Sequence, residues 1–223
     1  MKRYLFLLAL VFFSACAEKN SSKVASVNGH GISKAELKHW MLLEKANVFN
    51  HFYREYGTVD SENFWTTKIG DEIPLEMLKK VALEKATRCK VQQLLALEKG
   101  IIHTANFEEI QSVVETVNER RKKMVGNGEP IYGPEQFTSR TYFFHVFDKM
   151  VIDLKGELSK SDLRPNKEDL EQMKLGIDAS AKVNFELLAI QYVERNYDQY
   201  VDQLLGKMEL QVEDDKLEEI NLN

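Results

Sequence analysis

The sequence predicts a mainly α-helical domain closed by a small two-stranded pairing of its N-terminal and C-terminal strands. Apolar residues recur at steps of three and four through most of the chain, which is the helical period. Two short segments instead have strand character, residues 24–27 and 210–212. A lone strand leaves its backbone groups without partners, so we expect these two segments to pair with each other.

The first element is predicted from the segment KVASVNGHGISKAELKHWM, which begins at Lys23. Residues 24–27 form the expected strand, and Asn28-Gly29 is a strong turn signal. Ser33 is a good helix N-cap, and Glu36 three residues later would complete a capping box. The apolar face of the first helix comprises Leu37, Met41 and Val48, with Trp40 beside it.

The second helix follows a polar loop from Gly57 to Gly70. Pro74 suits its first turn, and Gly100 is expected as a left-handed cap after its end. Its predicted buried stripe consists of Leu75, Leu78, Ala82, Ala86 and Cys89.

A third helix is expected to begin near Thr104 and to end before the turn-forming residues 126–130. A long fourth helix is expected from Pro134. Its apolar stripe comprises Phe137, Thr141, Phe144, Phe147, Val151, Leu154 and Leu158, and a second apolar face on its first half comprises Phe143, Val146 and Met150.

The last part of the chain changes character after Pro165-Asn166. A short helix is predicted for residues 168–175, and residues 183–190 suit either a strand or a helix. A further helix is predicted for residues 193–208. Met208, Leu210 and Val212 then alternate with polar residues, which is a strand pattern.

The N-terminus has the features of a secretory signal peptide, expected to span residues 1–15. Lys2 and Arg3 precede an apolar run of ten residues, which is shorter than the about 20 residues of a membrane span. Small residues precede Cys16, as in the lipobox of bacterial lipoproteins, although Phe13 stands where leucine is usual. That resemblance implies lipidation of Cys16, with residues 16–23 as lipidated cysteine and tether. The alternative is ordinary secretion with an incidental Cys16 thiol.

Composition narrows the classes of function. The formal net charge of the 223 residues is −5, and it is −7 without Lys2 and Arg3, so no basic face for nucleic acid is indicated. Once Cys16 carries lipid, Cys89 has no partner for a disulfide bond, and we expect it to be a buried, inert thiol.

Motifs for catalysis or metal binding are not found. No two of the five histidines have the spacing of a zinc-binding helix, and no phosphate-binding loop or nucleophile motif is present. We therefore predict no catalytic residues, no metal and no cofactor.

Several segments together resemble the SurA and PrsA-type extracytoplasmic chaperones. The opening residues Val27-Asn28-Gly29, Ile32, Ser33 and Glu36 resemble the start of that family's chaperone domain. The segment GPEQFTSRTYFFHVFDKMVIDLKGEL from Gly133 resembles its long helix, and NKEDLEQM from Asn166 resembles its short helix. The closing YDQYVDQLLGKMELQVEDDKLEEI resembles the helix and strand that return to the domain.

The resemblance implies a SurA-N-like helical chaperone domain over residues 24–215, followed by a tail at 216–223. Family members usually carry a parvulin-type prolyl isomerase domain after the short helix. Here only nine residues separate Met173 from Val183, and independent domains rarely have fewer than about 50. The insertion is therefore expected to be absent near 174–183, and the chain is expected not to be an enzyme.

The function that this implies is a lipid-anchored holdase for unfolded or partly folded exported proteins. It would lie on the periplasmic side of the outer membrane in a two-membrane bacterium. Phe143, Val146 and Met150 are the candidate peptide-binding residues, and the competing interpretation is that they are simply core. The alternative functions are an adaptor lipoprotein that docks one fixed partner and a peptidyl-prolyl isomerase.

Overall fold

The structure is a computed structural model that describes residues 23–59, 61–174 and 184–222. The predictions for the signal peptide, for Cys16 and for the segment 175–183 concern residues outside these ranges. The elements in chain order are β1 (Lys23–Val27), β2 (His30–Ser33), α1 (Lys34–Tyr56), α2 (Pro74–Glu98), α3 (Phe107–Ser112), α4 (Val114–Gly126), α5 (Ser139–Leu158), α6 (Lys167–Lys174), α7 (Phe185–Leu205), β3 (Leu210–Val212) and α8 (Asp214–Glu218). The mainly α-helical prediction is confirmed.

The strands form one antiparallel sheet in the order β2-β1-β3. The predicted pairing of the two chain ends is confirmed, with Ala25 opposite Val212 and Val27 opposite Leu210. The expectation of only two strands was wrong, because the chain folds back after β1 and adds β2 on its other edge. Asn28 and Gly29 take φ angles of 48° and 83°, the left-handed conformations that this tight turn requires.

Asn28 also fastens the turn to the far end of the chain. Its backbone N–H donates to the Glu209 carbonyl over 2.9 Å, and its side-chain Oδ1 accepts from the Glu209 N–H over 2.8 Å. The asparagine of the Val-Asn-Gly motif therefore shapes the hairpin and also aligns β3 against β1.

Helices α1 and α2 pack against each other beneath the sheet. Ser33 caps α1 as predicted, since its Oγ accepts from the Glu36 N–H over 3.1 Å. The second half of the expected capping box was wrong, because the Glu36 carboxylate pairs with Lys90 of α2 instead. Pro74 opens α2, and Gly100 has a φ of 69° just after it, both as predicted. The predicted stripes of both helices are buried.

The third and fourth helices begin later than predicted. Asn106 caps α3, and a break at Val113 separates α3 from α4, so the expected third helix is two helices. Thr138 caps α5, which starts at Ser139 and not at Pro134. The buried side of α5 combines both predicted faces and consists of Phe143, Met150, Leu154 and Leu158.

Helix α7 packs on α2 and α5 and covers their C-terminal halves. It begins at Phe185, so residues 185–190 are helical, one of the two alternatives that the sequence left open. Arg88 of α2 forms ion pairs with Asp198 and Asp202 of α7.

The C-terminal end belongs to the folded domain, so the expected tail at 216–223 was wrong. Ile220 has 0% of its surface exposed and lies in the same core cluster as the sheet and α1. Lys79 of α2 donates from Nζ to the Glu218 carbonyl over 3.0 Å. Leu217 and Leu222 are partly buried against the same cluster, so three apolar residues pack this otherwise polar segment onto the domain.

No helix within the described ranges is long and apolar enough to cross a bilayer.

Candidate functional site

A cavity of about 280 Å³ lies between α2, the segment 101–104 and α5. We call it the inner cavity. Most of its wall is apolar, and the polar contributions come from Gln93, His103 and Thr104. The apolar wall consists of Ile101, Ile102, Ile110, Phe143, Val146, Phe147 and Met150.

A second cavity of about 320 Å³, the outer cavity, adjoins the first and shares four wall residues with it. Its remaining wall is more polar. The shared residues are Ile101, Ile102, Val146 and Met150. The unshared part of the wall includes the basic and acidic residues Arg121, His145, Lys149 and Asp153. The two cavities together, which we call the groove, place an apolar recess beside a charged rim.

The structure brings the predicted residues Phe143, Val146 and Met150 to the wall of the inner cavity. Peptide-binding residues would be partly exposed, whereas Phe143 and Met150 are only 1% and 3% exposed, as the competing core interpretation expects. Val146 is half-buried, as expected. Phe143 and Met150 therefore belong to the core and form the base of the cavity with their inner surfaces, while Val146 lies at its edge.

Aromatic side chains fix the position of Phe143. Its ring centre lies 4.9 Å from that of His39 on α1 and 5.5 Å from that of Phe107 on α3. Burial, with a smaller contribution from the Arg140 charge, lowers the pKa of His39 to about 4. His39 is therefore neutral at pH 7 and behaves as one more ring of this cluster.

A buried ion pair lies beside the inner cavity, and sequence reasoning missed it. The Lys90 Nζ is 3.0 Å from the Glu36 Oε2, and both side chains are 1% exposed. The same Nζ donates to the Ala105 carbonyl over 2.7 Å. Burial raises the pKa of Glu36 to about 7, although the Lys90 charge opposes it. Lys90 therefore connects α1, through Glu36, with Ala105, which directly follows the wall segment 101–104.

Gln93 lies one turn after Lys90 on the same face of α2, and it lines the inner cavity. It is 3% exposed, and its Oε1 has no hydrogen-bond partner among the described residues. Lys90 and Gln93 both continue the three- and four-residue steps that begin at Leu75 and pass through Ala86. Extending that stripe past Cys89 would have identified both as buried polar residues.

Cys89 is a free, buried thiol, as predicted. Burial and the nearby Glu36 charge raise its pKa well above the usual range, so it is a poor nucleophile. Within the described part of the chain, no group of three or more His, Cys, Asp or Glu side chains is arranged to hold a metal ion. The arrangement suits binding by burial of apolar groups.

Comparison with known proteins finds no matching family model, no matching curated protein and no matching solved structure.

Proposed function

We propose that this protein is a holdase-type chaperone that binds unfolded segments of exported proteins in the groove, while a lipid on Cys16 holds it at a bacterial membrane. The observation that carries the proposal is the pair of adjoining cavities on one side of α5. The sequence resemblance to SurA and PrsA-type chaperones supports the same function.

The groove suits weak binding of many sequences. Burial of any large apolar side chain against its apolar wall is favourable, and Met150 is a flexible residue that adapts to different shapes. Fully burying one such side chain contributes about 1.5–3 kcal/mol. Two side chains, one in each cavity, would contribute about 3–6 kcal/mol before the entropy cost of association, so binding is weak and a client can be released.

Val146→Asp tests the groove, because Val146 lies in the wall of both cavities. Ile152→Asp is the matched control, since Ile152 is an apolar residue of the same helix that is 69% exposed and lines neither cavity. We expect Val146→Asp to weaken the suppression of aggregation of a denatured client protein by about tenfold. The control should act like the wild type.

The outcome that overturns the proposal is full activity in Val146→Asp with its circular dichroism unchanged. If that variant fails to fold, Ile102→Ser replaces it, because Ile102 also borders both cavities. Capture of many unrelated envelope proteins from an extract supports a holdase. Capture of a single partner in fixed stoichiometry would favour the adaptor alternative and count against the proposal.

The lipid anchor has its own test. Metabolic labelling with a radioactive fatty acid should mark the wild type, and the label should be absent from Cys16→Ala, because the other cysteine, Cys89, is buried. Cys89→Ala is the matched control and should keep the full label. Equal labelling of wild type and Cys16→Ala would contradict the anchor and leave the groove proposal intact.

A further inference from the structure

We propose that the inner cavity takes a phenol ring, in a client the side chain of a tyrosine, and that Gln93 selects it by accepting its hydroxyl hydrogen bond. This inference rests on the proposed function and names the side chain that the groove prefers.

The dimensions of the inner cavity suit one ring. Its volume is about 280 Å³, and an apolar cavity of about 150 Å³ is enough to bind benzene. The apolar residues Phe143, Val146 and Met150 would contact the faces of the ring. A single ring with one substituent therefore fits, with room for the hydroxyl group.

The polar part of the wall determines which ring is favoured. Gln93 is 3% exposed and its Oε1 has no partner among the described residues, which is a costly state for a buried acceptor. The terminal torsion of a glutamine is broad and roughly two-fold, so a rotation about it would present Oε1 to the cavity. Of the other polar wall residues, His103 is exposed and Thr104 already accepts from the Asn106 N–H.

The adjacent residue on α2 shows the same chemistry in use. The Tyr197 hydroxyl of α7 donates to the Gln92 Oε1 over 2.9 Å in a buried contact. Gln92 and Gln93 are consecutive, so their side chains leave α2 in different directions. The Gln92 Oε1 accepts from a tyrosine of this chain, whereas the Gln93 Oε1 has no donor among the described residues, and Gln93 lines a cavity of suitable size.

Other side chains fit this site less well. A phenylalanine would fill the volume and leave the Gln93 Oε1 without a partner. A lysine would bring a charge into a mostly apolar space, and an aspartate would place a second acceptor against the first. A tyrosine combines an apolar ring with one donor.

The experiment compares two peptides that are identical except for Tyr or Phe at one position, titrated against wild type and against Gln93→Leu. Leucine keeps the approximate size and removes the amide, and an apolar residue at this buried position should be tolerated. We expect the wild type to bind the Tyr peptide at least about fivefold more tightly than the Phe peptide. Gln93→Leu should lose that preference.

A second variant guards against a folding defect. Gln93→Met also removes the amide and keeps an unbranched side chain of similar length, so it should lose the preference for the Tyr peptide. It serves if Gln93→Leu fails to fold. Equal affinity of the two peptides for wild type, or an unchanged preference in Gln93→Leu, would overturn the inference while leaving the proposed function standing.

A pair of small probes, p-cresol and toluene, tests the cavity without a peptide. The wild type should prefer p-cresol more strongly than Gln93→Leu does, as measured by ligand-detected NMR. If neither peptide binds, the proposed function fails. The comparison of p-cresol with toluene then decides the role of Gln93 by itself. A p-cresol preference that is the same in both proteins would overturn that role.

Discussion

Lys90 and Gln93 lie one turn apart on α2, and they differ in the partners that the rest of the chain provides for their polar atoms. Lys90 is 1% exposed and has both a counter-charge, Glu36, and a carbonyl acceptor, Ala105. Gln93 is 3% exposed and its Oε1 has no partner among the described residues. On the α1 side, the chain supplies the Lys90 cation with two partners, although the Glu36 Oε1 has no hydrogen-bond partner among the described residues. On the α5 side, Gln93 lines the inner cavity.

Burial alone does not distinguish structural from functional polar residues. A buried polar group that is fully paired within the chain marks a closed interface, since breaking it costs stability. A buried acceptor that borders a cavity and has no partner among the described residues marks a place where a ligand could donate a hydrogen bond. We call these two surroundings the closed side and the open side, and the experiments below test this contrast.

The largest effect is expected from deletion of all residues after Met208. The deletion removes β3 and the fully buried Ile220, so β1 loses its pairing with β3 and the core loses a large side chain. Removing a buried isoleucine side chain costs about 2–5 kcal/mol, and each lost hydrogen bond costs about 1 kcal/mol. We expect a loss of at least about 4 kcal/mol in the free energy of unfolding, measured by urea denaturation.

Ile220→Ala is the control for that deletion, because it removes the buried side chain and keeps the strand. It should account for only part of the loss. A deletion variant as stable as the wild type would show that the pairing of the chain ends does not close the domain.

Phe143→Ala is expected to cost about 3–5 kcal/mol, because Phe143 is 1% exposed and packs against His39 and Phe107. Val146→Ala, on the same cavity wall but half-buried, should cost much less. Thermal melting of the two variants measures the difference. Near-normal melting of Phe143→Ala would mean that its ring is not part of the core.

Lys90→Met removes the cation of the closed side and should cost about 2 kcal/mol at pH 8, since hydrogen bonds to charged groups are worth about 1.5–3 kcal/mol. Without Lys90, the pKa of Glu36 should rise further, because the Lys90 charge lowers it. The cost should therefore shrink as the pH falls from 8 to 5. A cost that does not change with pH would contradict the pairing.

The smallest effect concerns the pH dependence that His39 contributes. Its pKa is about 4 in the folded protein and about 6.5 when unfolded, so the folded state disfavours its protonation. This contribution to stability is fully present above about pH 6.5 and is lost as the pH falls toward 4. His39→Gln should lose less stability than wild type across that range in urea denaturation at several pH values. Parallel curves for the two proteins would contradict it.

Much of the fold could be predicted because it depends on local rules. The stripe from Leu75 to Cys89, the Ser33 cap and the Asn28-Gly29 turn each follow from a few neighbouring residues. The pairing of β1 with β3 followed from backbone hydrogen-bonding needs, because no other strand was evident as a partner. The second strand of the hairpin was missed, since His30–Ser33 contains only one large apolar residue.

The candidate site was only partly predictable. The sequence indicated Phe143, Val146 and Met150 as one face of a helix, and all three line the inner cavity. It did not indicate which of them are buried, because that depends on the aromatic rings that α1 and α3 bring to Phe143.

The helical class, the Ser33 cap and the closure of the domain by its two ends follow from the sequence, because these depend on spacing along the chain and on backbone pairing. The tertiary structure alone decided that Glu36 would pair with Lys90 and not complete its own cap. It also decided that Gln93 would border a cavity. The partners of these buried side chains come from distant segments, and only packing decides whether a polar group receives one.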